Sequence, residues 1–196
     1  MAIKLIAGLG NIGARYFNTR HNVGSKYVEL LAKKYRVILS KSDMLCGYVG
    51  KLALENNVVY LLIPDSYMNN NGLAISKFVD FYQLHVEEIL IAHDDLDLPP
   101  GVIRIKLGKK NNDSHNGLRD IVVRLNNQFN FYRLRIGIGH PGEKSKVINF
   151  VLNKPSIYEK LRIDNVINEV ILYTENIAAK NFVKVMNQLH SYKPNV

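Results

Sequence analysis

Apolar positions recur along this chain with two different periods, and the periods alternate. Residues 3–9 (IKLIAGL) read as a first β-strand, followed by a polar, glycine-containing loop over 10–20. A helix is predicted over about 25–35, with Val28, Leu30 and Leu31 on its apolar side. Residues 47–54 and 58–63 read as two strands joined at Glu55-Asn56-Asn57, a hairpin-like turn. A helix follows over about 72–83, then an apolar strand over 88–93 that ends in His93-Asp94-Asp95. Strands at 101–107 and 132–138 flank a helix at 117–126. After Pro155, Ser156-Ile157-Tyr158-Glu159 has the form of a capping box opening a helix. Residues 174–191 predict a final helix, with Ile177, Phe182, Val185, Met186 and Leu189 apolar. Alternating strands and helices place the chain in the α/β class with a mixed sheet. The expected organisation is one domain over 1–196, with a C-terminal helical segment at about 156–191.

Composition narrows the class without changing it. The chain has 196 residues, 47% hydrophobic and 22% charged. That excludes a wholly disordered protein, a collagen and a coiled coil. A domain of this size buries roughly 70% of its unfolded surface, so no covalent staple is needed. The single cysteine, Cys46, has no partner for an internal disulfide, and a reducing compartment is the economical reading. No run of about 18 apolar residues occurs, so no transmembrane helix is expected. The N-terminus lacks the basic region and small-residue site of a secretory signal. A cytoplasmic location is the expectation.

Charge adds a direction. Lys and Arg number 26 against 17 Asp and Glu, a net +9. Residues 1–100 hold ten of each sign, whereas 101–146 hold ten basic and three acidic residues, or +7. A basic surplus confined to one segment points to a polyanion footprint, against the simpler reading of a solvated face. The strand pattern sharpens it. In GVIRIKLG, Ile103, Ile105 and Leu107 face one way, and Arg104 and Lys106 the other. In YRLRIGIG, Leu134 and Ile136 lie opposite Arg133 and Arg135. Each strand thus presents two cations side by side, a suitable grip for phosphates.

The loops carry the candidate chemistry. Gly8-Leu9-Gly10-Asn11-Ile12-Gly13 matches the dinucleotide-binding fingerprint, but no apolar helical stripe starts inside it and no acid closes a second strand at the required distance. His21 lies in a polar stretch bounded by Gly24, where a neutral imidazole serves as a general base. His93-Asp94-Asp95-Leu96-Asp97 ends a buried strand, where α/β sheets place their sites. A carboxylate there can orient an imidazole. A metal site is the competing reading, but neighbouring Asp94 and Asp95 point apart in an extended chain. Asn11, Asn69 and Asn116 each follow a strand or open a helix near one sheet edge. They offer neutral donors for a peptide backbone or an oxyanion, or else simple helix caps. No convincing nucleophile accompanies them: Cys46 has no evident base, and Ser66 and Ser114 lack a nucleophile elbow. Water activated by histidine is therefore preferred to covalent catalysis.

Taken together, several motifs resemble those of the bacterial-type peptidyl-tRNA hydrolases. They are Gly8-Leu9-Gly10-Asn11-x-Gly13, Tyr16-x-x-Thr19-Arg20-His21-Asn22-x-Gly24, Tyr67-Met68-Asn69, His93-Asp94-Asp95-Leu96-Asp97-Leu98-Pro99, His115-Asn116-Gly117-Leu118 and Phe131-x-Arg133-Leu134-Arg135-Ile136-Gly137-Ile138-Gly139-His140-Pro141-Gly142. The likeness runs in order from residue 3 to about 155. It implies a twisted mixed sheet surrounded by helices, and a monomeric cytoplasmic enzyme that hydrolyses the ester between a peptide and the 3′ ribose of tRNA. By motif, His21 activates water, Asp94 orients His21, and Asn11 holds the ester carbonyl or its oxyanion. Asn69 and Asn116 hold the peptide backbone and the water, and Tyr16 and Met68 line the pocket. Arg104, Lys106 and Arg135 stand where the family clamps tRNA phosphate, and Lys109 and Lys110 add candidate contacts. No metal, cofactor or membrane partner is implied.

Three departures from the family pattern stand out. Ile12 replaces a proline, leaving its turn less constrained. Asn71 stands where serine is usual, and an N-cap role is expected to survive. Gly108-Lys109-Lys110-Asn111-Asn112-Asp113-Ser114 replaces a glycine-rich loop and is a residue longer. Against the hydrolase stand a non-catalytic RNA-binding module, a nicotinamide-dependent oxidoreductase and a metal hydrolase.

Overall fold

The computed structural model describes residues 1–109 and 114–192. Among them, strands β1 (Leu5–Gly8), β2 (Ser40–Ser42), β3 (Gly47–Ala53), β4 (Val58–Pro64), β5 (Ile89–Asp95), β6 (Ile103–Leu107) and β7 (Tyr132–Gly137) form one sheet. Its order is β2-β3-β4-β1-β5-β7-β6. The four central strands β4, β1, β5 and β7 run parallel. β3 and β6 flank them antiparallel, and β2 closes the β3 edge. The helices are α1 (Val23–Lys34), α2 (Asn71–Tyr82), α3 (Asn116–Arg124), α4 (Val147–Leu152), α5 (Ile157–Ile171), α6 (Thr174–Ala178) and α7 (Phe182–Ser191).

Both faces of the sheet are covered, which is why β1 and most of β5 carry apolar residues on both sides. On one face, Tyr27, Val28 and Leu31 of α1, Ile163, Ile167 and Val170 of α5, and Val185 of α7 pack on Ile6, Leu90, Ala92 and Leu134. On the other, Ile75 and Phe78 of α2 and Leu118 and Ile121 of α3 pack on Leu5, Ala7, Ile89 and Ile91. The parallel strands bring their carboxyl ends to one edge, where the loops after β1, β4 and β5 meet. Two glycines allow α1 to start against that edge. A Cβ on Gly8 would lie 2.2 Å from the Gly24 carbonyl oxygen, and one on Gly24 would lie 2.2 Å from that of Ala92. Only glycine permits this approach, and it sets the turn before α1 beside the end of β5.

The predicted alternation holds, with informative differences. The 10–20 loop contains one short 3-10 turn at Ala14–Tyr16 and a second follows it at Arg20–Asn22. The helix expected over 174–191 is two helices. Lys180 takes a left-handed φ of 58°, and the N–H groups of Lys180 and Asn181 bond back to Ile177 and Asn176. This Schellman turn ends α6 without the glycine that usually marks it. β2 is three polar, partly exposed residues, and α4 is a six-residue apolar run, so neither shows a period. Asn71 is not a cap: α2 is preceded by Asn70, whose side chain makes no capping bond.

Candidate active site

The centre of the site is Asp94, the penultimate residue of β5. The turn before α1 presents His21, whose Nδ1 lies 2.9 and 3.0 Å from the two carboxylate oxygens of Asp94. The loop before α3 presents His115, whose Nε2 lies 2.9 Å from Oδ1 of the same carboxylate. His115 Nδ1 accepts the N–H of Leu118, capping α3, so its ring proton sits on Nε2 and is donated to Asp94. His21 donates through Nδ1 and keeps its Nε2 lone pair. His93 donates from Nδ1 to the backbone carbonyl of Asp94 at 2.7 Å, and its ring meets that of His115 edge-on at 5.1 Å. Three imidazoles thus surround one aspartate.

The electrostatics follow from this packing. Burial alone would raise the Asp94 pKa, but the charges of His21 and His115 and their hydrogen bonds overcome it and hold the carboxyl far below its ordinary range. Burial disfavours the His21 imidazolium, but the Asp94 charge and hydrogen bond favour it more strongly, and the pKa is raised. His93 is pushed down to about 3 by burial, reinforced by His115, and is neutral. His21 is therefore a base strengthened by a permanent carboxylate, with one nitrogen pinned and the other available.

Asn11, after β1, is held from two directions. Its backbone N–H donates to Asn22 Oδ1 at 2.9 Å, and Asn22 Nδ2 donates to its carbonyl at 2.9 Å. Its own Oδ1 accepts the N–H of Met68 at 2.7 Å. Among the described residues its Nδ2 has no partner, so that group remains a free donor. Met68 is buried, while Asn69 beside it is exposed. Tyr16 meets Tyr67 edge-on at 6.2 Å across the same rim. Asn116 is exposed at the first turn of α3, its Oδ1 accepting from Arg119.

His21, Asp94 and His115 also satisfy, by residue type, a three-ligand divalent site, with ligand atoms within 4.8 Å of one another. Those same atoms pair at 2.9 Å, so a metal bound there would displace the protons by which the imidazoles bond Asp94. Asp95 does not join them. It turns to the other side of β5 and binds Arg135 Nε at 2.6 Å.

The basic strands lie alongside. In β6 and β7, Arg104 faces Arg135 and Lys106 faces Arg133. Arg104 is half-buried, Lys106 and Lys109 are exposed, and none of the three has a carboxylate partner among the described residues. Arg133 departs from expectation. It is buried, with its guanidinium 5.2 Å over the Phe131 ring, so it supports the strand instead of offering a charge to solvent. Lys110 lies outside the described residues.

Sequence reasoning gave no role to His115, Asn22 or Arg20, and offered His93 only as a ligand in the competing metal reading. Arg20 is buried beside His21, pairs with Glu159 at 2.8 Å, donates to the Lys154 carbonyl at 2.9 Å and stacks 4.0 Å over Phe150. It ties the histidine turn to the α4–α5 junction. The only signal in the sequence was the position of these residues inside polar, glycine-bounded motifs.

The comparisons agree with one another. A family model described as peptidyl-tRNA hydrolase matches residues 5–196. A peptidyl-tRNA hydrolase of Sodalis glossinidius is 50% identical over 194 residues, 99% of this chain and 100% of that one. One from Yersinia enterocolitica is 50% identical over 192 residues, 98% of this chain and 97% of that one. A crystal structure of peptidyl-tRNA hydrolase from Acinetobacter baumannii superposes with a TM-score of 0.92 at 44% identity, covering 98% of this chain and 97% of that one. A match of sequence and fold over almost the whole length places this chain in the peptidyl-tRNA hydrolase family.

Proposed function

We propose that this chain hydrolyses the ester between a peptide and the 3′ ribose of tRNA, with His21 as general base on a water molecule. The observation that carries this reading is the His21 imidazole pinned through Nδ1 to a buried carboxylate, with Nε2 left free. In the reaction, Nε2 takes a proton as the water oxygen attacks the ester carbonyl. The negative charge that develops on the carbonyl oxygen is met by Asn11 Nδ2. The C–O bond to the ribose then breaks, and the imidazolium returns its proton to the departing ribose oxygen. The products are a carboxylic acid, which releases its proton to solvent, and a free ribose hydroxyl, and no metal is required. Asp94 keeps the tautomer and stabilises the imidazolium, as in a His–Asp pair. Asn69 and Asn116, exposed at the rim, bind the peptide backbone and the water, and Tyr16 and Met68 line the pocket.

The tRNA lies along β6 and β7. Arg104, Lys106 and Lys109 bind its phosphates, with Lys110 next in sequence, and Arg135 contributes what Asp95 leaves free. These contacts position the substrate without reading its sequence, which suits an enzyme indifferent to which tRNA it meets. On this reading residues 1–196 are one catalytic domain that acts as a monomer. No helix among the described residues is long and apolar enough to cross a membrane. With a translation intermediate as substrate, that favours the cytoplasm.

The test is release of peptide from peptidyl-tRNA in the presence of EDTA, by the native chain and by His21→Ala. The expected result is turnover by the native chain, and its loss in the variant with tRNA binding kept. No turnover by a folded native chain would favour an RNA-binding module, and turnover abolished by EDTA would favour a metal hydrolase.

A further inference from the structure

Asn71 is fully buried at the start of α2, yet it reaches neither the imidazoles nor the exposed rim. Its amide is used completely. Oδ1 accepts the N–H of Gly10 at 3.0 Å, while the two Nδ2 protons are directed to the Gly10 carbonyl at 3.1 Å and the Tyr67 carbonyl at 2.9 Å, with Ser66 Oγ at 3.1 Å a further acceptor that shares them. The pair of bonds to Gly10 copies a rung of a sheet, with a side-chain amide in place of the neighbouring strand.

The partners matter more than their number. Gly10 and Tyr67 immediately precede Asn11 and Met68, and it is the Met68 N–H that fixes the Asn11 amide by donating to its Oδ1 at 2.7 Å. Asn71 therefore bridges the residues just before each end of the bond that orients Asn11. Asn22 grips the Asn11 backbone by the same two-way amide pairing from the other side. With both in place, the free Nδ2 of Asn11 has one direction. An amide is the side chain that accepts from one peptide and donates to two others within a plane; a serine hydroxyl has a single proton to give.

We infer that Asn71 is a positioning residue for hydrolysis, acting through Asn11 by locking the 10–12 turn against the 66–68 turn. The inference rests on the assignment of Asn11 as the oxyanion donor. It is tested by a double-mutant cycle of Asn71→Ser and Asn11→Ala, measuring kcat and KM for peptidyl-tRNA. Asn71→Ser is expected to lower kcat by about 10-fold, part of the ~10²–10³-fold that one oxyanion donor supplies, with KM nearly unchanged. In the Asn11→Ala background the same substitution is expected to change kcat less than about 2-fold, because its target is gone. An equal loss in both backgrounds would make Asn71 merely structural and overturn the inference. A native kcat for Asn11→Ala alone would instead remove the oxyanion assignment, and this inference with it. If Asn71→Ser does not melt cooperatively, Asn71→Ala takes its place in the cycle, since it removes the amide without placing a new charge against the Gly10 and Tyr67 carbonyls.

Discussion

The aspartate centre and the basic strands touch one another, yet they are built on opposite terms. Around Asp94, both side-chain oxygens and the backbone carbonyl are engaged by histidines, and each imidazole that bonds them has a defined tautomer. Along β6 and β7, Arg104 and Lys106 face other cations across the strand pair and are left without carboxylates among the described residues. Like charges directly opposite in a sheet are destabilising, so the proposed function gives these two side chains a ligand to hold. Proton transfer needs one direction at one nitrogen, whereas holding a polyanion needs charge density and tolerates motion. Substitutions at the first region should abolish chemistry, and those at the second should grade it with salt.

The largest effect should separate the two regions outright. His21→Ala is expected to lower kcat by ~10²–10⁴-fold, the range of a lost general base. The affinity for tRNA and its salt dependence should stay native. Binding measured by fluorescence titration at several salt concentrations checks this. A parallel loss of affinity would mean that the two regions are one.

Asp94→Asn probes the same centre through pH. The Asp94 charge and hydrogen bond are what raise the His21 pKa against burial. His21 must be neutral to act, so kcat/KM of the native chain should fall as pH drops through a value above 6.5, the ordinary imidazole pKa. With the charge removed, burial prevails and the His21 pKa falls, so this acid limb should move to lower pH. Activity at the plateau should fall as well, because an amide does not hold one tautomer. A pH–rate profile of both forms is the measurement, and an unmoved acid limb would remove His21 from the role of base.

Arg104→Ala and Lys106→Ala should act on the second region alone. Each is expected to weaken binding of tRNA-length substrates and to flatten the plot of log affinity against log salt by about one unit per lost phosphate contact. Turnover at saturation should be retained. A lower kcat with an unchanged slope would move these residues into the chemical centre.

The same contrast explains what was legible in the sequence. His21 and Asp94 were readable because each breaks a local pattern: one a histidine in a polar turn, the other an acid ending an apolar strand. The alternation in β6 was readable because strand period and burial agree from Ile103 to Lys106; Leu107, placed by the period with Ile103 and Ile105, is exposed at the strand end. The support of the site was not readable, because it is made between distant segments. Arg20 reaches Glu159, and Asn71 reaches Gly10, through pairings that no local period encodes. Arg133 misled for a related reason. Its place in the alternation gives a face but not a depth, and the Phe131 ring beneath it takes up the guanidinium. Lys180 misled because its left-handed turn occurs without the glycine that signals one.

Arg135 lies on the boundary, and there the smallest effect is the most discriminating. Its strand position pairs it with Arg104 on one side and His93 on the other. Its Nε is committed to Asp95 at 2.6 Å, with Asp97 3.8 Å from its Nη2. Removing Arg135 alone would strand the Asp95 carboxylate beside incoming phosphate, so Arg135→Ala by itself confuses a lost contact with a new repulsion. The charge-neutral double substitution Arg135→Ala with Asp95→Asn avoids this. Because the Arg135 charge is largely spent within the pair, the double variant should leave the salt slope within about half a unit of native. Flattening by a full unit would give Arg135 the same standing as Arg104. A fall in kcat at saturating substrate would place the pair instead with the aspartate centre, as the buttress that keeps the end of β5 in line.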